Sequence, residues 1–509
     1  MTKFRTAAAI DIGSNGVRMQ ISQSDGTSIQ SLTRLEKPTR MGQEVFTTGR
    51  ISFETARGLS SILSGFQTAA KEYDVKRVEV VATTSLRDAV NRGYVLDYIS
   101  IRNKLNVRVL EDNESNALQI YAMKSECNPD DERVLMAYVG TGTVNFQLLE
   151  QNRIMLTQTM HTGLLPIADM LRETSEYTRR VDLVAEEYVE TLLARHFSMR
   201  ELSDVDSLVF GSGDMRPLFE FLGVDTSGNV SVIESDRIME AFRRFRRLSI
   251  GQISTKLQLS SQQGDQLLAA LALLSVLITR TGVKKAYCVH TGLADAVARL
   301  NLLPGAKRAY NEGERNGAVS SARNLAERYG CNVRHSEKVA EIATLLYGKL
   351  YKIHGLPRKH VFKLQVACIL HEAGYFVHSY SADEAAFNLI RYAQIYGLSS
   401  YDTLLIASIV APLGITEGNQ TAAIKDEDVL FVAKMHAILQ LADALDYSGR
   451  EKIDTITVEQ EENELTVRIR SAEDYTQEAW LFRQRVPFFR ETFGLTVQLD
   501  IDNKFETAT

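Results

Sequence analysis

The feature that most restricts how this chain can fold is a pattern it carries twice. Residues 6–12 are largely apolar apart from Asp11 and read as a buried strand. Gly13-Ser14-Asn15-Gly16 then makes a tight turn, and residues 17–22 return as a second strand. About 127 residues later the pattern recurs: residues 134–139, the turn Gly140-Thr141-Gly142-Thr143, and residues 144–149. Both turns consist of glycine and small hydroxyl or amide residues, which let a backbone come close to an anion and aim N–H groups at it. A third strand follows each hairpin, at residues 29–35 and 154–159, and then helices and further strands, including a long apolar helix at 263–281. Strands alternating with helices imply mixed α/β sheets. Two related α/β domains are therefore expected, residues 1–125 and 126–302, with a cleft between their turns.

Near residue 303 the character changes. Residues 305–317 are rich in Gly, Lys, Arg, Asn and Glu and read as a linker. Helical periodicity follows, with Val339, Ile342, Leu345 and Leu346 on one face, which predicts an all-α domain at 315–447. The remaining stretch, 448–509, alternates like strands around a helix and reads as a small α/β domain. The 509-residue length suits about three or four domains. Hydrophobic content of 44% and charged content of 24% are those of a globular protein. The longest apolar run, residues 267–278, is shorter than the roughly 20 residues needed to span a bilayer. Four widely spaced cysteines form no CxxC pair and no disulfide framework. A net charge of -6 argues against nucleic-acid binding through overall charge. Arg243, Arg244, Arg246 and Arg247 form one basic cluster, either a solvated helix face or a landing strip for a polyanion.

An aspartate at the end of a buried strand, followed by such a turn, suits a magnesium–phosphate site. Asp11 would hold Mg²⁺ or its water, and Gly13, Ser14 and Asn15 would hold phosphate oxygens. The alternative is an ordinary hairpin, since Asn-Gly is the commonest hairpin signal. The duplication, with Gly140, Thr141, Gly142 and Thr143 in the second turn, favours the phosphate reading.

The stretch Ala9-Ile10-Asp11-Ile12-Gly13-Ser14-Asn15-Gly16-Val17-Arg18 resembles the opening motif of the exopolyphosphatase / guanosine pentaphosphate phosphatase family. Ala82-Thr83-Thr84-Ser85-Leu86-Arg87-Asp88-Ala89-Val90-Asn91 resembles a second motif of that family. The resemblance implies two actin-like (ribonuclease H-like) α/β domains, then a helical HD-like domain and a small terminal one. It further implies release of terminal phosphate by water from inorganic polyphosphate or guanosine pentaphosphate, with Mg²⁺ as cofactor. Arg18 and Arg87 would face phosphate, and Glu114 at the start of a helix would be the base, with Glu111 as a rival. Independently of the family, this acidic run also reads as a helix start capped by Asp112 or Asn113. A cytoplasmic homodimer without membrane or nucleic-acid partners is expected.

The sequence departs from the family where chemistry is concentrated. Tyr138 stands where the family has an aspartate before its second turn, which removes one carboxylate from the expected magnesium shell. In the helical domain, His335, His371, Glu372 and Asp443 fall where an HD-type site has His, His-Asp and Asp. The extra histidines of a two-metal site are missing near residues 381–386 and 411–414, leaving either one metal or a structural remnant. A hydrolase is therefore expected, with a catalytically weak polyphosphate or nucleotide sensor as the alternative and a kinase of the same fold behind both.

Overall fold

In the computed structural model the repeated pattern folds into two sheets laid out alike. The structure describes residues 4–127, 129, 131–174, 177, 180–197, 201–211, 216–225, 228–245, 252, 255, 259, 261–411, 424–461 and 463–503. The chain divides into two compact units, Met1–Glu314 and Arg315–Thr509.

The first sheet of the first unit comprises β1 (Arg5–Ile12), β2 (Gly16–Ser24), β3 (Ile29–Pro38), β4 (Val78–Ala82) and β5 (Val107–Val109), in the order β3-β2-β1-β4-β5. β1 and β2 pair antiparallel, while β4 runs parallel to β1 and β5 parallel to β4. The second sheet comprises β6 (Arg133–Val139), β7 (Val144–Glu150), β8 (Arg153–Met160), β9 (Ser207–Gly211), β10 (Val230–Glu234) and β11 (Lys285–Val289). Its order, β10-β11-β9-β6-β7-β8, reproduces the first layout with β10 added as an antiparallel edge. This is the actin-like arrangement expected from the sequence. In both sheets the central strand is buried on both faces, which is why residues 6–12 and 134–139 read as nearly continuous apolar runs.

Helices cover the sheets. The first lobe carries α1 (Met41–Thr48), α2 (Phe53–Glu72), α3 (Thr84–Asp88), α4 (Arg92–Asn103) and α5 (Asp112–Glu126). The second carries α6 (Leu164–Thr174), α7 (Val181–His196), α8 (Arg216–Leu222), α9 (Ser235–Phe245), α10 (Ser261–Thr281) and α11 (Leu293–Leu302). α10 is long and apolar enough to cross a membrane, but Leu271, Leu274 and Leu277 on it are fully buried in the core of this lobe. Arg243 and Arg244 lie exposed on α9; Arg246 and Arg247 lie outside the described residues.

Residues 305–317 are not the expected linker. Gly305, at φ +77, starts the chain into α12 (Ala306–Arg328), within which the division between units falls. The stretch is polar enough to read as loop, yet two features hold it helical. Arg308 and Glu312 pair one turn apart at 2.9 Å, and Tyr310 packs edge-on against Tyr121.

In the second unit, α13 (Val333–Lys349), α14 (Val361–Leu370), α15 (Ala382–Arg391), α16 (Ser400–Val410) and α17 (Asp426–Leu445) enclose an aliphatic core including Val339, Leu346, Leu370 and Ile438. A three-stranded sheet of β12 (Ile453–Glu461), β13 (Glu464–Ser471) and β14 (Thr496–Asn503) follows, with α18 (Thr476–Phe493) burying Phe482 and Phe489. Residues 412–414, one of the places where the second-metal histidines are missing, lie outside the described residues.

Candidate functional site

A cleft opens in the first unit, lined by both duplicated turns. The first turn closes through a hydrogen bond from Gly13 N–H to the Gly16 carbonyl, 3.0 Å, and the second through Gly140 N–H to Thr143, 2.9 Å. Each turn rests on a glycine from the helix region after the third strand. Gly42 N–H donates to the Ser14 carbonyl, and a Cβ on Gly42 would stand 2.7 Å from Ser14 Cβ. Gly163 N–H donates to the Gly142 carbonyl, and a Cβ there would stand 2.5 Å from the Thr141 carbonyl oxygen. The close approach therefore requires glycine at both places.

Asp11 lies at the base of the cleft, opposite Arg18 in the β1–β2 register. Arg18 Nη1 is 3.9 Å from Asp11 Oδ2, while Arg18 Nε donates to Glu36 at 3.0 Å. Burial pushes the Asp11 carboxyl up to about 6, against the pull of Arg18 and with a further push from Glu36. Its Oδ1 is buried and has no hydrogen-bond partner among the described residues. An orphaned carboxylate oxygen beside hydroxyls fits a magnesium ion, which takes one or two protein carboxylates and completes its shell with water and phosphate.

The third wall comes from Thr83 and Thr84, with Ser85 donating to Ser14 at 2.6 Å. A Cβ on Gly142 would come 3.1 Å from the Thr84 methyl, so the second turn sits close to this wall. The fourth wall is the first two turns of α5, where Asp112, Ser115 and Gln119 share one face. Gln119 donates to Ser115 at 3.1 Å and accepts from Asn145 at 2.6 Å.

Of the residues expected from sequence, Asp11, Gly13, Ser14, Arg18, Gly140, Thr141, Gly142 and Thr143 line this cleft. Asn15, Arg87 and Glu114 do not. Arg87 is 10% exposed and spends its guanidinium on Asp88 at 2.9 Å and Asp112 at 2.6 Å. Glu114 is ion-paired with Arg108; burial and the nearby Glu111 raise its pKa against the effect of that arginine. The residue that caps α5 is Glu111, not Asp112 or Asn113, and it caps through its backbone only. Tyr138 lines the cleft while its ring packs in a cluster with Ile120, Met123 and Val209. The lining residues Asp112, Ser115, Gln119 and Asn145 and the supporting Gly42 and Gly163 were not anticipated. The polar spacing 112, 115, 119 on an otherwise buried helix was the available signal.

In the second unit, His335 Nε2 and His371 Nε2 each lie 3.3 Å from Asp443 Oδ1. The ligating atoms of His335, His371 and Glu372 fall within 4.8 Å of one another. His335 Nδ1 is 2.9 Å from Asp446, and His371 Nδ1 donates to the Cys368 carbonyl at 2.6 Å. The donor types suit one divalent ion. Burial opposes charge on His335, but hydrogen bonds to Asp443 and Asp446 and the field of Glu372 hold its pKa at about 10. The same groups therefore also balance as an ionic network of one cation among carboxylates.

Comparison with known proteins gives a match to the Ppx/GppA phosphatase family over residues 20–297 and to domain III of that family over residues 319–486. Similar solved structures include a Ppx/GppA family member from Aquifex aeolicus, at 18% identity and TM-score 0.51, covering 61% of this chain and 99% of that one. Another is an exopolyphosphatase-like protein at 18% identity and TM-score 0.50, covering 58% of this chain and 97% of that one. A third is an exopolyphosphatase from Cytophaga hutchinsonii, at 16% identity and TM-score 0.49, covering 58% of this chain and 97% of that one.

Proposed function

The chain belongs to the Ppx/GppA phosphatase family, and from that premise we propose that its cleft takes the end of a phosphate chain and slowly releases the terminal phosphate. The ligand is inorganic polyphosphate or a phosphorylated guanosine nucleotide. The observation carrying this reading is the meeting of both Gly/Thr turns, Asp11 and Arg18 in one cleft. Hydroxyls of Ser14, Thr83, Thr84, Thr141 and Thr143 and the Arg18 guanidinium supply the donors a polyanion needs. In the reaction, water attacks the terminal phosphorus and the bridging P–O bond breaks. One proton must leave the water, and the shortened chain takes the bond's electron pair. Asp11 would hold Mg²⁺, which neutralises phosphate charge.

The neutral Ser115–Gln119–Asn145 chain and the engagement of Glu114 with Arg108 favour a second reading, a sensor that binds without cleaving. Phosphate release from long-chain polyphosphate and from guanosine pentaphosphate, measured with Mg²⁺ beside calorimetric binding, separates the two. Binding with slow release supports the hydrolase, binding with none supports the sensor, and no binding of either ligand overturns both.

A further inference from the structure

The cleft is short of carboxylates that can accept a proton. Among its described lining residues only Asp11 and Asp112 are acids. Asp11 lies at the buried base, beside Arg18, in the place that suits an ion. Glu114, two positions along the helix from Asp112, falls on the opposite side and pairs with Arg108.

We propose that Asp112 is the base of this cleft and that Arg87 is its positioning residue rather than a phosphate ligand. The proposal rests on the hydrolytic reading given above. Asp112 belongs to the first turn of α5, and its side chain is 32% exposed, so water reaches it. Arg87 Nη1 is ion-paired with Oδ1 at 2.6 Å, whereas among the described residues Oδ2 has only His161 Nδ1 at 3.9 Å, beyond hydrogen-bonding range. One oxygen is anchored and the other is left to accept. Arg87 is fixed in turn: Asp88 takes its Nε, and Arg92 donates to its carbonyl at 3.0 Å. A guanidinium nine-tenths buried and divided between two carboxylates acts as a clamp.

In the step proposed, water's oxygen forms a bond to the terminal phosphorus as its proton passes to Asp112 Oδ2. The bridging P–O bond breaks, its electron pair staying on the shortened chain. Orthophosphate departs, and Asp112 returns the proton to product or solvent, so atoms and charge balance.

The test compares wild type with Asp112→Asn, Asp112→Ser, Arg87→Gln and Arg87→Lys, each checked for folding by thermal melt. Turnover is followed on long-chain polyphosphate across pH, and binding by calorimetry with imidodiphosphate. Both Asp112 variants should lose at least 100-fold in kcat, as removal of a general base does. They should keep binding within about threefold, because no phosphate contact is removed. The acid limb of the pH–rate profile should vanish with them. Arg87→Gln should lower kcat with KM nearly unchanged, and Arg87→Lys should recover part of the loss. Full turnover in both Asp112 variants overturns the inference and leaves the hydrolytic reading standing. Weakened binding with unchanged kcat in the Arg87 variants returns Arg87 to phosphate contact and overturns it too. A wild type that binds but never releases phosphate removes the hydrolytic reading, and this inference falls with it.

Discussion

Tyr138 shows how one side chain can serve two demands. It lines the cleft, yet it is 6% exposed and packs among Ile120, Met123 and Val209. An aspartate here would enlarge the carboxylate set but place a charge where the ring now packs. Tyr138→Asp is therefore expected to lower stability by about 3 kcal/mol or more, and Mg²⁺ should restore part of the lost melting temperature. Melts of wild type and Tyr138→Asp with and without Mg²⁺ check this; a Tyr138→Asp protein as stable as wild type in EDTA contradicts it. The positions of Asp11 and the two turns were legible in the sequence because strand alternation and glycine fix where a hairpin turns. The orientations of Arg87 and Glu114 were not. Asp112 and Glu114 are both acids in one helical turn, and only packing decides which side meets the cleft.

At the scale of elements, the two turns depend on the glycines that support them. Gly42→Ala and Gly163→Ala should each displace one turn, cost about 1–3 kcal/mol, and weaken imidodiphosphate binding at least tenfold by calorimetry. Undiminished binding in either variant would show that its turn holds no phosphate. These glycines escaped the sequence reading because neither belongs to a recognisable turn; the need arises from another segment's backbone. In the helical unit, α14 and α16 are joined by the ion pair of buried Lys363 with Asp402, which also caps α16 with Ser399. Burial alone would raise the Asp402 carboxyl, but Lys363 and the Ser399 hydrogen bonds outweigh it and hold its pKa below the ordinary range. A depressed folded-state pKa contributes stability above the unfolded value of about 3.9. That contribution is lost as the pH falls through the still lower folded value. Asp402→Asn should flatten this acid limb and cost about 3–5 kcal/mol at pH 7 by leaving Lys363 buried and unpaired. Urea melts from pH 3 to pH 7 test both effects.

For the whole molecule, the division at Glu314 and Arg315 predicts two unfolding transitions in calorimetry. A phosphate-chain ligand should raise only the one belonging to residues 1–314, by mass action on the folded form; equal shifts in both would contradict a cleft confined to that unit. The sequence foretold two α/β lobes and a helical region, since periodicity survives in each. It misread residues 305–317, where the i,i+4 pair Arg308–Glu312 and the inward Tyr310 outweigh a loop-like composition. The duplication of the turns has one more consequence. On the proposed reading, two weak grips tethered in one chain would act on a linear anion as a chelator acts on an ion. A ligand long enough to reach both gains the second grip intramolecularly, a gain of about 10²–10⁴ in affinity over either alone. Orthophosphate, with no second phosphoryl group to place, would be held more loosely. A chain shortened from its end would thus stay while the fragment it sheds drifts away, a ratchet that needs no moving part.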